Sequence, residues 1–539
     1  MDPVAQLSSA VEEAAAGLAG NGNLGSSRLD RPKRADFGDY SSNAAMLLAP
    51  TLGDQPRAIA ERLGDALGER LGETVERVEI AGPGFLNLFM ADRWYLEALV
   101  GMLEAGEEFG QSSGGERMNV EFVSANPTGP ITIASARHAA YGDSLCRILE
   151  RAGHRVEREY YVNDAGTQIR RFGESIKARA RGEEPPEDGY RGEYVTELAK
   201  RIEGAADADP DELARRGIEL MVEGVRASLE RFRVRMDKFF SEHTLHEAGA
   251  IEESLERLEG EGALYEHEGA LWMRTTRWGD DKDRVLRRSN GDYTYFAADI
   301  AYHLHKRSRE YDRALDIWGA DHHGHIDRMR AAWQALGGDP DSFELVIMQL
   351  VNLTEGGERV KMSKRMGAIV TLDDLLDDIG VDAARWFLAS RSHDTTLDLD
   401  LELARRQSQD NPVYYVQYAH ARIASILRKA GDERVAAALG ADLGASSERF
   451  HPSARALVKK LLELPQEVRE SAERRAPHRM TVYATETAQD FSAFYRDCRV
   501  VGAAAEGGDE DVRIAICVMT KRVLAQALDL LGVEAPESM

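Results

Sequence analysis

Two lysines, Lys361 and Lys364, in the run Lys361-Met362-Ser363-Lys364-Arg365, carry the most specific chemistry in the chain. They follow the loop TEGGER and precede the acidic stretch TLDDLLDD, which places them on a loop between a strand and a helix. Two ammonium groups there can neutralise a polyphosphate while its α-phosphate is attacked, a reaction in which charge and positioning supply most of the catalysis. Taken alone, the pentad reads better as solvated surface, as most basic pentads are. Asn126-Pro127-Thr128-Gly129-Pro130 runs into a helix start, where free N–H groups and the positive end of a dipole can hold a phosphate, although an ordinary βα turn has the same pattern. In GDYTYFAADIAYHLH, Tyr295 and Asp299 are four residues apart. On a helix they share a face on which a phenol and a carboxylate can hold a guanidinium, and the same spacing also suits a surface carboxylate at a helix end. Asp321, His322, His323 and His325 offer imidazole and carboxylate ligands of the kind Mn²⁺ or Zn²⁺ takes, which raises a metal-dependent phosphoesterase as an alternative. No separate aspartate cluster completes a two-metal site, and a loop contacting adenosine at the carboxyl end of a strand fits these residues better.

The elements that must position these residues can be read from period and punctuation. Val120, Phe122 and Val123 form an extended run before the Pro/Gly loop. Tyr141, Leu145, Ile148, Leu149 and Ala152 then recur at helical spacing to a stop at Gly153, and a second strand spans 155–162. This is a βαβ unit, the building block of nucleotide-binding sheets. A charge-rich stretch over about 170–260 reads as an insertion. The sheet pattern resumes with a strand at 314–318, a loop at 319–324, a helix burying Met329, Ala332, Trp333 and Leu336, and an apolar strand over 343–351. Before residue 110 lies a mixed unit ending in the buried-strand pattern AGPGFLNLFM, and after about 400 only helical periods remain.

A length of 539 residues exceeds one ordinary core and implies about three or four domains. The net charge of −25 argues against a protein that coats nucleic acid nonspecifically, yet leaves room for a local basic face. Cys146, Cys498 and Cys517 have no paired spacing, as expected in a reducing cytoplasm, and neither a signal peptide nor a membrane span is evident.

VEFVSANPTGP, EYYVNDAGTQI, GDYTYFAADIAYH, WGADHHGH, VKMSKR, DNPVYYVQYAHARI and LLGVEAPESM, in this order, resemble segments of the arginyl-tRNA synthetases across essentially the whole chain. The resemblance implies an α/β fold: a Rossmann-like class I catalytic domain with an insertion (111–400), an N-terminal α+β domain touching the tRNA elbow (1–110) and a C-terminal all-α anticodon-binding bundle (401–539). It implies a cytoplasmic monomer that joins L-arginine to tRNA(Arg) through arginyl-adenylate, using ATP with Mg²⁺ and no tightly bound metal or organic cofactor. In this family tRNA is usually needed before arginine is activated. By resemblance, Glu121, Asn126, Tyr295, Asp299 and His323 meet arginine, while Gly319, Asp321, His322, Lys361 and Lys364 meet ATP. Tyr415, Gln417, Tyr418 and His420 fall where tRNA could stack, or where two domains pack. One departure stands out: Thr132-Ile133-Ala134-Ser135 replaces the His-Ile-Gly-His signature, so Thr132 and Ser135 take the ATP-binding and catalytic positions of two imidazoles. Hydroxyls bond phosphate without carrying charge, and one lost charge-assisted contact to a transition state costs roughly 2–4 kcal/mol. Slower activation is expected, with His138, one turn after Ser135, as a possible substitute. A non-adenylating tRNA-binding relative is the second alternative.

Overall fold

The computed structural model describes residues 2–20, 29–32, 34–359, 363–364 and 368–539. In the first unit, Pro3–Ala19, Ala44–Leu52, Pro56–Leu71 and Asp92–Ala105 are helices against a four-stranded antiparallel sheet. The expected buried strand is Phe85–Met90, whose alternate residues Leu86, Leu88 and Met90 are fully buried.

The catalytic sheet has five parallel strands: β1 (Arg117–Glu121), β2 (Arg155–Val162), β3 (Lys238–Ser241), β4 (Arg313–Gly319) and β5 (Phe343–Met348), in the order β5-β4-β1-β2-β3. The chain winds outward from β1 through β2 to β3, then returns to the other side of β1 with β4. Ligands of such sheets bind outside the carboxyl ends of the strands at this reversal, here between Glu121 and Gly319. Helix α1 (Ile133–Arg151) crosses from β1 to β2, and its Gly142 lies against Phe122 so closely that a β-carbon would stand 2.3 Å from the ring. Helix α2 (Tyr295–Ser308) precedes β4, and α3 (Leu372–Ala389) is broken at Gly380, where φ is 78°.

Two expectations are corrected. The insertion closes earlier than 260. Its helices Thr167–Ala180, Glu193–Arg201 and Pro210–Arg231 share a core around Phe172, Ile176, Val195 and Leu213, but residues 238–241 return to the catalytic sheet as β3. A second excursion follows, with helix Ala250–Gly260 and antiparallel strands Leu264–His267, Ala270–Met273 and Arg284–Arg287. The single strand expected over 343–351 breaks at Gln349 and Leu350, and Val351–Glu355 pairs instead with Leu397–Asp400. The cause is Arg137 of α1, fully buried, whose guanidinium donates to the carbonyls of Gln349 (2.7 Å), Leu350 (3.3 Å), Ser392 (2.9 Å) and Thr395 (2.9 Å) and gathers the two segments around it.

After a short helix, Leu401–Arg405, the last unit is helical: α4 (Pro412–Ala430), then Asp432–Leu439, Pro452–Leu461, Leu464–Glu473, His478–Asp497 and Glu510–Leu530. All three cysteines are buried thiols, and no described helix is long and apolar enough to cross a membrane.

Candidate active site

Register places Glu159, Glu121 and Asp316 side by side on three adjacent parallel strands. Three carboxylates at the ~4.8 Å strand spacing would repel one another strongly out of water, so the helix above them must supply cations. Helix α2 does so from one face. Lys306, fully buried, donates to Glu121 Oε2 (2.5 Å) and Asp316 Oδ1 (2.6 Å). Arg309, just past the end of α2, donates to both oxygens of Glu159 (2.5 and 3.0 Å). Tyr302 shares its hydroxyl between Glu121 (2.9 Å) and Glu159 (2.7 Å), and His303 bridges Asp316 (2.8 Å) and the Asp299 carbonyl (2.7 Å). Burial alone would raise the carboxyl of Asp316, but Lys306 and His303 hold it down at about 2. Burial pushes Glu121 up against the pull of the Lys306 ammonium that it shares with Asp316.

Asp299 lies one turn earlier on the same face of α2, near the Arg328 guanidinium but bonded to no cation among the described residues. Among the described residues its carboxylate makes no hydrogen bond or ion pair. Burial, together with the charges of Glu242, Glu121 and Asp316 and against the opposing influence of His303, pushes it up to about 7. Glu242, just after β3, is 5% exposed and meets only the Tyr161 hydroxyl and, at 3.6 Å, His246; burial raises it too. A half-buried and a buried carboxylate, neither bonded to a full cation among the described residues, constitute a place for one, because an unpaired charge drawn out of water is costly. Tyr295, one turn before Asp299 on α2 and 59% exposed, places its hydroxyl near the backbone of Gly166.

The nucleotide side begins where β1 ends. Val123 (φ 71°) and Ser124 (φ 38°) adopt left-handed backbone, a strain of about 1–3 kcal/mol each that surrounding bonds must hold. The Ser124 hydroxyl donates to Glu121 Oε1 (2.9 Å) and accepts from the Tyr161 N–H (3.0 Å), while Tyr160 donates to the Ala125 carbonyl (2.8 Å). This kink presents Asn126 exposed, and Tyr194 of the insertion steadies the following turn through the Thr128 carbonyl (2.8 Å). Thr132 caps α1, accepting from the Ser135 N–H at 3.5 Å, and its backbone pairs with that of Thr371, the cap of α3. His138 faces Gly319, but burial and the neighbouring Arg137 hold it down at about 4, so it is a neutral imidazole and offers no replacement charge. At Gly319 a β-carbon would stand 2.6 Å from Asp321 Oδ1, the end of an exposed side chain that can swing aside. Asp321, His322 and His323 are exposed on the 3₁₀ turn Ala320–His325. Among the described residues no group of His, Cys, Asp or Glu is placed to hold a metal ion, so the phosphoesterase alternative lacks a ligand set. Lys361 lies outside the described residues; Lys364 is described only as backbone, in the short strand Ser363–Lys364 paired with Ala368–Ile369. A cleft of about 440 Å³ lined in part by Arg147, Arg226, Arg233 and Phe239 lies at the opposite end of the sheet, with Arg147 and Arg233 paired to Asp143, Asp382 and Glu534.

Residues 5–90 match the arginyl tRNA synthetase N terminal domain, 193–423 the class I (R) tRNA synthetase catalytic domain, and 416–539 the DALR anticodon binding domain. The arginine–tRNA ligase of Oceanobacillus iheyensis is 43% identical over 95% of this chain and 94% of its own, and that of Bacillus subtilis 44% over 97% and 96%. The chain belongs to the arginyl-tRNA synthetase family. It is an arginine–tRNA ligase, with tRNA, arginine and ATP as its substrates. The solved arginyl-tRNA synthetase of Thermus thermophilus, 25% identical, superposes with a TM-score of 0.76 over 99% of both chains.

The four residues expected to meet tRNA all lie on α4, and the structure divides them. Gln417 and His420 are buried and hold the chain end, Gln417 through the Glu534 carbonyl (2.9 Å) and His420 through that of Pro536 (2.8 Å), so these two serve domain packing. Tyr415 and Tyr418 are half-buried. The Tyr418 hydroxyl accepts from Arg422, whose guanidinium lies between the Tyr418 and Tyr495 rings. Sequence reasoning missed Glu242, Tyr302, Lys306, Asp316 and Glu159. Lys306 alone left a signal, as a charge at a position where the helical period of α2 calls for an apolar residue.

Proposed function

We propose that arginine lies with its guanidinium against Asp299 and Glu242, under Tyr295, and its α-ammonium toward Glu121 and Asn126. The observation that carries this is the half-buried Asp299 carboxylate, with no hydrogen bond or ion pair among the described residues, beside the buried Glu242. A planar, always-charged guanidinium can donate paired hydrogen bonds to such a site, where the point charge of lysine cannot. Glu121 suits the other end. A carboxylate has about four lone-pair sites, and Ser124, Tyr302 and Lys306 occupy about three, which leaves one for an ammonium donor. ATP, brought in as its Mg²⁺ complex, lies across Gly319 with Asp321, His322 and His323 beside adenosine or the arginine. Thr132 and Ser135 hold phosphate or ribose, and Lys361 and Lys364 the phosphates. The variant signature then works through hydroxyls alone, the imidazole of His138 being neutral. Residues 1–110, 111–400 and 401–539 act as elbow-contacting, catalytic and anticodon-binding units, with Tyr415 and Tyr418 available to stack on bases. The buried, unpaired thiols suit a reducing cytoplasm, and sedimentation tests whether the enzyme is a monomer.

Arginine-dependent ATP–pyrophosphate exchange, with and without tRNA(Arg), tests this reading on the wild type and on Asp299→Asn and Lys364→Ala. Exchange that requires tRNA and falls at least about a hundredfold in both variants is expected, each removing a charge-assisted contact. Exchange as fast in Asp299→Asn as in the wild type would sink the guanidinium assignment. A wild type that binds tRNA yet never exchanges would mark the non-adenylating relative.

A further inference from the structure

Because Glu121 is 5% exposed and flanked by Glu159 and Asp316, its place in the pocket depends on what holds it there. We propose that Lys306 is a positioning residue that, with Tyr302 and Ser124, fixes Glu121 as the receiver of the substrate's α-ammonium. The inference rests on the arginine assignment above and adds to it residues that never touch substrate. Its first support is geometric. Oε2 is bonded to Lys306 at 2.5 Å and to Tyr302 at 2.9 Å, and Oε1 to Ser124 at 2.9 Å, so neither oxygen can rotate without breaking a bond. The remaining acceptor direction is therefore set before the ligand arrives, which removes ordering cost from binding.

The second support is electrostatic. Asp316 is paired in register with Glu121 and bonded to the same ammonium at 2.6 Å, so Lys306 alone separates two carboxylates that would otherwise repel. Without it Glu121 would gain a proton or swing away from Asp316, and either change removes an acceptor from the α-ammonium while leaving Asp299 and Glu242 in place for the guanidinium. Lys306 also sits under the Tyr302 ring, 4.5 Å from its centroid, so the two donors support each other.

The test uses two ligands that differ only at the end in question: L-arginine and δ-guanidinovalerate, which lacks the α-amino group. Equilibrium dissociation constants are measured at pH 8 on the full-length wild type and on Lys306→Met, Tyr302→Phe and Ser124→Ala, with ATP binding as the control. In Lys306→Met the Kd for arginine should rise about tenfold, and in the two hydroxyl variants about three- to fivefold, as expected for loss of a charged and a neutral hydrogen bond. The Kd values for δ-guanidinovalerate and ATP should change less than about twofold, because neither ligand uses Glu121. Equal losses for arginine and δ-guanidinovalerate would overturn the proposal and make Lys306 a support of the whole pocket. A wild type that binds no arginine would remove the assignment underneath it. Should Lys306→Met fail to fold, the same comparison in Tyr302→Phe decides alone.

Discussion

Asp299 shows what a carboxylate without a partner does to an enzyme at rest. Its folded pKa of about 7 stands above the ordinary carboxyl value of about 3.9. The folded protein therefore holds a proton that the unfolded chain releases, and stability present below pH 4 is lost as pH rises through 7. Asp299→Asn should stabilise the ligand-free protein at pH 8 by the order of 1–4 kcal/mol and hardly at all near pH 4, read as unfolding midpoints at the two values. The wild type's Kd for arginine should fall as pH rises from 6 to 8 and level off above, because the guanidinium needs the ionised form. A flat profile would place the guanidinium elsewhere. Thr132 joins local structure and chemistry in the same way. As the cap of α1 it contributes about 1 kcal/mol, and in the proposed site its hydroxyl is the group that meets the phosphates. Thr132→Ser should keep both stability and exchange, whereas Thr132→Ala should lose about 1 kcal/mol and at least about tenfold in exchange; equal exchange in the two would leave Thr132 only a cap. Asp299 was legible because its four-residue spacing from Tyr295 needs only one helix. Glu242 was not, since it follows a strand too short to show a period and meets Asp299 only through the folded sheet.

Among the elements, the βαβ unit, α2 and the helical last domain were legible because long periodic segments fold where their periods place them. The break at Gln349 was not, for it answers to Arg137 more than 200 residues away. Nor did the charge-rich insertion reveal its contact with the site. Tyr194, on the insertion helix Glu193–Arg201, bonds the Thr128 carbonyl in the turn between Glu121 and Thr132, so the insertion bears on both ends of the proposed site at once. Tyr194→Phe removes one hydrogen bond and little packing. It should cost about 1 kcal/mol or less in unfolding, and three- to tenfold in kcat for exchange with smaller changes in KM, as expected when a loop loses its aim and keeps its contacts. Exchange kinetics matching the wild type would show that the turn holds without the insertion.

At the scale of the molecule, the last residues form a strap between units rather than a loose end. The Leu531 carbonyl accepts from Arg385 (2.6 Å), a buried residue of α3 that also donates to Asp143 of α1 (2.7 Å). The Glu534 N–H donates to Asp382 (3.1 Å), its carboxylate pairs with Arg233 (2.6 Å), and its carbonyl accepts from Gln417. Pro536 and Glu537 then bond to His420, Arg428 and Lys521. The strap thus ties the end of the insertion and α3 to α4 and the bundle. Removing residues 534–539 should leave each core intact, because the strap contributes few apolar contacts, but it strips partners from Asp382, Arg233, Gln417 and His420. At about 1 kcal/mol for each of the two bonds that cross from the strap to Asp382 and Arg233, the docking of the bundle onto the catalytic domain should weaken by about 2 kcal/mol. Calorimetry should then show the single or closely overlapping transition of the full chain split, with the bundle and catalytic domain melting apart. The KM for tRNA in aminoacylation should rise more than the KM for arginine, since tRNA must engage both units and arginine only one. An unsplit transition with unchanged tRNA kinetics would mean that the interface of α1 and α3 with the bundle suffices without the strap.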